Sequence, residues 1–264
     1  LSCYETDLAL RAIELVESLY SSAGTISNPV ILEITERNSK SIGSHSRSIR
    51  AGVKLIAQQL VRLTCLKIMA PSGHLHLYFK NDWEVIPGAV SYGHDIETSW
   101  LLLECAQALG DPEIVEYVKP YCQALGTAGN EGLLPDGSMV YELFPNGKTD
   151  RSRQWWVQAE TVVGNLWLWK YHSDPEGLDR AARCWHWIKT HLLVAARVPQ
   201  ADIYPDRARS VGSLRQPLPH RKDEWYWGTL DDGVTPDTAS PKAGFWKCPY
   251  HNTRMCLEVL KLSR

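Results

Sequence analysis

Phenylalanine is nearly missing from this chain: three Phe stand against eleven Trp and eleven Tyr in 264 residues. Most aromatic contact must come from rings with a polar handle, which suit carbohydrate faces as well as cores and interfaces. Charge of one sign is missing too, since 28 Lys and Arg meet 30 Asp and Glu for a formal net charge of -2. Nucleic acid and anionic membrane surfaces are thereby excluded as partners, because polyanion binding needs clustered Lys and Arg. A small neutral ligand fits better. No stretch approaches the roughly 18 consecutive apolar residues of a membrane span, and no basic-then-apolar leader opens the chain. It begins at Leu1, which suggests a fragment. Cys3, Cys65, Cys105, Cys122, Cys184, Cys248 and Cys256 are odd in number, scattered and never spaced CxxC, which argues against a disulfide framework or zinc knuckle and for a reducing cytoplasm. GxGxxG, P-loop, GxSxG and HExxH patterns are all absent, so nucleotide, phosphate, acyl-serine and zincin chemistry lack local support.

What the chain has in quantity is helical periodicity. Apolar spacing predicts helices over 6–20, 49–68, 95–109, 112–126, 155–171, 176–194 and 251–262. Short hairpins are expected at 74–86 around Asn-Asp, and at "LPDGSMVYEL" and "WYWGTLDDGV" around their DG turns. No fixed-period repeat is visible. Helix, hairpin-bearing loop, helix nevertheless recurs, as in stacked helix pairs. Residues 199–223, rich in Pro, Arg and Asp, read as a long loop, and 22–48 offers no clear element.

Three stretches carry candidate chemistry. In "SYGHDIETSWLLLECAQAL" (91–109), a helix starting near Asp95 puts His94 at its N-terminal edge and Glu97 on the same side. A histidine there is kept neutral by the helix dipole and can serve as a base. Equally, Asp95 or His94 can be a plain cap, with Glu97 completing a capping box. In "RQWWVQAET" (153–161), Trp156 and Glu160 share a helix face while Trp155 turns to a neighbouring one. That pairing is either a sugar platform beside an acid or a core Trp pair with a solvated Glu. In "GFWKCPYHNTR" (244–254), Pro249 precedes a helical run that opens with Tyr250 and His251 and brings Arg254 one turn later. Two helix starts each offering a histidine would let an imidazole approach a carbon from each side. A lone histidine at a helix start is also a common structural feature. His74 and His76 share a strand face but lack a third metal ligand, and Trp185 and His186 read as packing.

"SYGHDIETSWLLLE", "RQWWVQAE" and "DEWYWG…GFWKCPYHNTR", in this order and at these intervals, resemble the N-acylglucosamine 2-epimerase superfamily, in particular its cellobiose and mannobiose 2-epimerase branch. The likeness runs over roughly residues 66–192 and 222–262. It implies an all-α fold, an (α/α)6 barrel with short β-hairpins in its loops, here one domain over 1–264 lacking the N-terminal helix pairs. It also implies an isomerase that needs no cofactor and no metal. A β-1,4-linked disaccharide (cellobiose, mannobiose or a lactose-like sugar) would open at its reducing-end glucose and lose its C2 proton. It would pass through a cis-enediolate and be reprotonated on the other face. His94 and His251 would be the acid/base pair, with Glu97 orienting or tuning an imidazole. Glu160 and Arg254 would bind hydroxyls or the developing oxyanion, and Trp155 and Trp156 would line the sugar subsites.

The chain departs from the family in "KSIGSHSR" (40–47), which stands where family members carry K-S-M-N-T-H-L-H. Gly43 and Arg47 replace a pocket asparagine and a second histidine there, and only His45 is kept. An incomplete barrel would leave helix faces open to self-association. A mannose-type aldose-ketose isomerase and an inactive sugar-binding remnant are the alternative readings.

Overall fold

The computed structural model describes residues 46–193, 225–244, 246–248 and 250–263, with side chains from residue 52 onward. The helix expected over 6–20, the loop at 199–223, Gly43, His45 and Pro249 lie outside the described residues. Helices dominate: α1 (Ser46–Leu63), α2 (Tyr92–Leu109), α3 (Pro112–Gly129), α4 (Trp155–His172), α5 (Gly177–His191) and α6 (Tyr250–Leu262). Five two-residue strands accompany them: β1 (Val90–Ser91), β2 (Glu142–Leu143), β3 (Thr149–Asp150), β4 (Arg153–Gln154) and β5 (Gly228–Thr229). The chain divides into two compact units, one of residues 1–90 and 98–125, the other of 91–97 and 126–264.

In the first unit α1 runs into a π-turn, Thr64–Ile68, where the Thr64 hydroxyl donates back to the Leu60 carbonyl at 2.9 Å. The unit's core includes Val61, Cys65, Trp100, Leu103, Val118 and Cys122. Gly110, at φ 64°, ends α2 in the left-handed conformation that glycine adopts without penalty. Asp111 then accepts the Glu113 N–H, and Pro112 takes the first helical position, where a missing N–H costs nothing. The hairpin expected over 74–86 is reduced to single bridges, Met69 with Leu75 and Phe79 with Val85, closed by the Lys80–Glu84 turn. His76 there packs edge-on against Phe79.

The second unit is organised by α4. From Val157 to Asn165 every residue of this helix is buried, so it lacks the polar stripe of a surface helix. Close approach makes this possible. A Cβ on Gly164 would stand 2.5 Å from Ile96, and one on Gly177 would stand 2.5 Å from the Asn165 carbonyl. The first turn of α2 and the start of α5 therefore press directly onto the α4 backbone. On another side, Trp167 donates to Glu258 of α6 at 3.2 Å and Lys170 donates to the Leu262 carbonyl at 2.8 Å. Gln158 clamps the preceding loop, accepting the Met139 N–H at 2.9 Å and donating to the Met139 carbonyl at 2.8 Å. The "DG" stretches close as single antiparallel bridges, Leu133 with Met139 and Thr229 with Pro236, while β2 pairs antiparallel with β3 across the Asn146-Gly147 turn and β5 pairs antiparallel with the sequence-distant β4.

One boundary differs from expectation in a way that matters. α2 begins at Tyr92, not near Asp95. Asp95 is buried inside the helix, and His94 belongs to the first turn itself.

Candidate active site

Three helix starts of the second unit supply the site: α2 with His94 and Glu97, α4 with Trp156 and Glu160, and α6 with Tyr250, His251 and Arg254. Within each helix the three- or four-residue spacing puts these side chains on one face. The Ile96–Gly164 approach then lays the α2 face beside the α4 face.

At the centre is an ionic cluster. Glu160, with its side chain 1% exposed, accepts from His251 Nδ1 at 2.7 Å and from an Arg254 terminal nitrogen at 2.7 Å, both at Oε1. The same Arg254 nitrogen donates to Glu97 Oε1. A second Arg254 nitrogen donates to the Tyr250 hydroxyl, and the guanidinium carbon lies 4.3 Å from the Tyr250 ring centroid. Burial pushes the Glu97 carboxyl above its ordinary range and the neighbouring Glu160 charge pushes the same way, while Arg254 only partly offsets them. Burial works against the Arg254 charge, but the two carboxylates outweigh it and raise its pKa, so the guanidinium stays charged. Because Glu160 accepts at Nδ1, that nitrogen of His251 carries the hydrogen and Nε2 is left for chemistry.

Over this cluster lies the Trp156 indole. The His94 ring sits 4.8 Å from it and the His251 ring 5.6 Å, centroid to centroid. One indole thus contacts both imidazoles. Such proximity needs Gly93, where a Cβ would stand 2.6 Å from the Trp156 ring. His94 keeps part of its ring open to water. Even so, the surrounding protein desolvates its charged form and lowers its pKa, with Asp95 pulling up and His251 pushing further down. Trp155, by contrast, is 3% exposed and packs 4.6 Å from Trp227, behind His251.

All seven residues singled out from sequence, His94, Glu97, Trp155, Trp156, Glu160, His251 and Arg254, belong to this one neighbourhood. Sequence reading missed Ser91, Tyr141 and Trp227. Ser91 lies three residues before His94, a helical interval that could have flagged it. Tyr141 meets Trp156 edge-on at 6.2 Å and, like Trp227, comes from a stretch whose one legible signal was its DG turn. Ligand atoms of Glu97, Glu160 and His251 lie within 4.8 Å of one another, a spacing that suits a cation. The cation found bonded to both carboxylates is the Arg254 guanidinium.

Residues 54–226 match the model of the family described as N-acylglucosamine 2-epimerase (GlcNAc 2-epimerase). The chain belongs to that family. Among family relatives, cellobiose 2-epimerase from Bacteroides fragilis is 41% identical over 190 residues, which is 72% of this chain and 42% of that protein. Cellobiose 2-epimerase from Dictyoglomus turgidum is 32% identical over the same shares of the two chains. The structure of cellobiose 2-epimerase from Spirochaeta thermophila superposes with a TM-score of 0.65 and 33% identity, covering 82% of this chain and 48% of that one. The fold is accordingly the all-α type of the (α/α)6-barrel epimerases. This family member spans about half the length of the relatives it matches.

Proposed function

We propose that this chain serves a carbohydrate 2-epimerase of the cellobiose type, as one catalytic domain, acting on the reducing-end glucose of a β-1,4-linked disaccharide. The observation that carries the reading is the convergence of His94 and His251 on Trp156, above a buried cluster that contains a charged guanidinium. Once the sugar ring is open, the C2–H bond breaks toward Nε2 of one imidazole. Its electron pair forms the C1–C2 double bond, and the aldehyde oxygen becomes the enediolate oxyanion. Arg254 is the cation available to that oxyanion. The other imidazole, protonated, gives its proton to C2, and collapse restores the aldehyde with C2 inverted. Each proton-transfer group contributes on the order of a hundredfold or more. Glu160 holds His251 directly, while Glu97 acts on the site through Arg254 and through its charge. Trp156 offers a flat face to the sugar, while Trp155 packs behind His251.

The scattered cysteines, none spaced CxxC, favour a cytoplasmic location; no helix among the described residues is long and apolar enough to cross a membrane. Self-association belongs to the same proposal: Leu257 and Leu260 of α6 are 60% and 59% exposed, apolar area that a second copy would cover.

Incubation of the 264-residue chain with cellobiose in deuterium oxide tests the reading. Deuterium at C2 of both glucose and mannose epimers is the expected result. Ketose as the main product would instead indicate an aldose-ketose isomerase, and sugar binding without label would indicate a binding remnant.

A further inference from the structure

The proton-transfer reading leaves one buried polar side chain beside the site unused. Ser91 is 1% exposed, and its Oγ lies 2.7 Å from His94 Nδ1. It ends β1 immediately before α2, three residues ahead of His94 and so on the same side of the turn. A hydroxyl beside a ring nitrogen can donate to it or accept from it. The two arrangements are not equivalent for catalysis, because a neutral imidazole carries a single proton. If Ser91 donates to Nδ1, Nε2 bears the N–H and cannot take another proton. If Nδ1–H donates to Ser91, Nε2 is the open acceptor.

We propose that Ser91 is a positioning residue: its Oγ accepts from His94 Nδ1–H, fixes the rotation of the ring against Trp156 and leaves Nε2 as the site of proton exchange. This rests on the acid/base role proposed for His94. The two imidazoles are then held alike in tautomer but by partners that differ in charge. His251 is backed by the Glu160 carboxylate at 2.7 Å, a charged acceptor for its Nδ1–H. His94 is backed by a neutral hydroxyl, which orients the ring and adds no counter-charge. The remaining groups that act on His94, Asp95 and His251, oppose one another electrostatically. Orientation by Ser91 is the contribution left to decide which nitrogen faces substrate. A pair of imidazoles that each present Nε2 matches a reaction that must remove one proton and supply another.

Tautomers are read directly from two-bond proton-nitrogen correlations of 15N-histidine-labelled protein at about pH 8, at which the His94 ring, held below its ordinary value, is neutral. No turnover is needed. Loss of signals in His94→Gln assigns the ring. The expected result is an Nδ1–H tautomer for His94 in the natural chain, reversion toward Nε2–H in Ser91→Ala, and restoration in Ser91→Thr. In the deuterium-uptake assay, Ser91→Ala should lower kcat by about 10- to 100-fold, the usual cost of an orienting partner, with KM little changed. An Nε2–H tautomer in the natural chain, or the same tautomer in Ser91→Ala, overturns the proposal. Undiminished exchange in His94→Gln overturns the acid/base reading instead, whatever the spectra show.

Discussion

Glu160 and His251 are 91 residues apart in sequence and joined at 2.7 Å, carboxylate Oε1 to ring Nδ1. The same oxygen holds Arg254, so a single buried atom couples the start of α6 to the core helix α4. Change at this oxygen should affect both imidazole orientation and oxyanion stabilisation. Glu160→Gln keeps the shape, removes the charge, and leaves Arg254 with Glu97 as its one carboxylate partner in this cluster. We expect deuterium uptake to fall by at least about a hundredfold, the scale of an acid/base contribution. Glu160→Ala should also lower stability by about 1–3 kcal/mol in urea titrations, since it leaves the His251 Nδ1–H without its acceptor while Arg254 keeps Glu97.

His94 and Glu97, one helical turn apart, should respond to pH with opposite sign. The His94 pKa is lowered from 6.5 by desolvation, so below that value the unfolded chain takes a proton that the folded chain refuses. Its contribution to stability is therefore present above 6.5 and lost as pH falls through the folded pKa. The Glu97 pKa is raised from 4.5. Its contribution is present at low pH and lost as pH rises through the folded value. Imidazole titration by NMR should place His94 below 6.5, and His251→Gln, by removing a like charge, should move it upward. Because the His94 ring is partly open to water, the His94→Gln effect on acid-side melting should be small but in the stated direction.

Gly93 permits the contact on which the site depends. In Gly93→Ala the new methyl would lie 2.6 Å from the Trp156 ring and 2.8 Å from Val157 Cγ2. Either the indole or α2 must shift. Overpacking of this kind costs about 1–3 kcal/mol, measurable by urea denaturation, and KM for the disaccharide should rise as the platform moves.

The Glu97, Glu160 and His251 donor set already holds a guanidinium. Treatment with a chelator should therefore leave deuterium uptake unchanged. Arg254→Ala removes that cation, and a transition-metal ion should then bind measurably by calorimetry where it does not bind the natural chain. Binding of zinc to the natural chain at these residues would contradict this account.

Much of the site could be read from local spacing. Trp156 with Glu160, and His251 with Arg254, are pairs at helical intervals, and a side chain's face follows from backbone geometry alone. The helix boundary at Tyr92 was not legible, because "SYG" resembles a loop. What makes it helical is the fit of Gly132 against the Tyr92 ring, where a Cβ would stand 2.5 Å away, and of Ile96 into the Gly164 and Gly129 notches. The expected hairpins shrank to single bridges for a related reason. Their alternation is too short to bury a sheet face, so loop clamps such as Gln158 on Met139 decide the backbone path.

By itself, the order of residues determined helix positions, the facing of side chains within each helix, and the residue types able to move a proton. Those follow from a repeat of 3.6 residues per turn and from side-chain chemistry. Which carboxylate supports which imidazole was decided only by tertiary packing. The likeness implied that Glu97 orients or tunes an imidazole; packing bonds Glu160 to His251 and Glu97 to Arg254, and leaves Glu97 to act on His251 through its charge. The reason is physical: α4 is buried almost all round, so Glu160 must spend its hydrogen bonds on whatever the neighbouring helices deliver. The glycine notches bring the first turn of α2, and the Trp167–Glu258 and Lys170–Leu262 bonds bring α6, close enough to deliver His251, Arg254 and, over Trp156, His94.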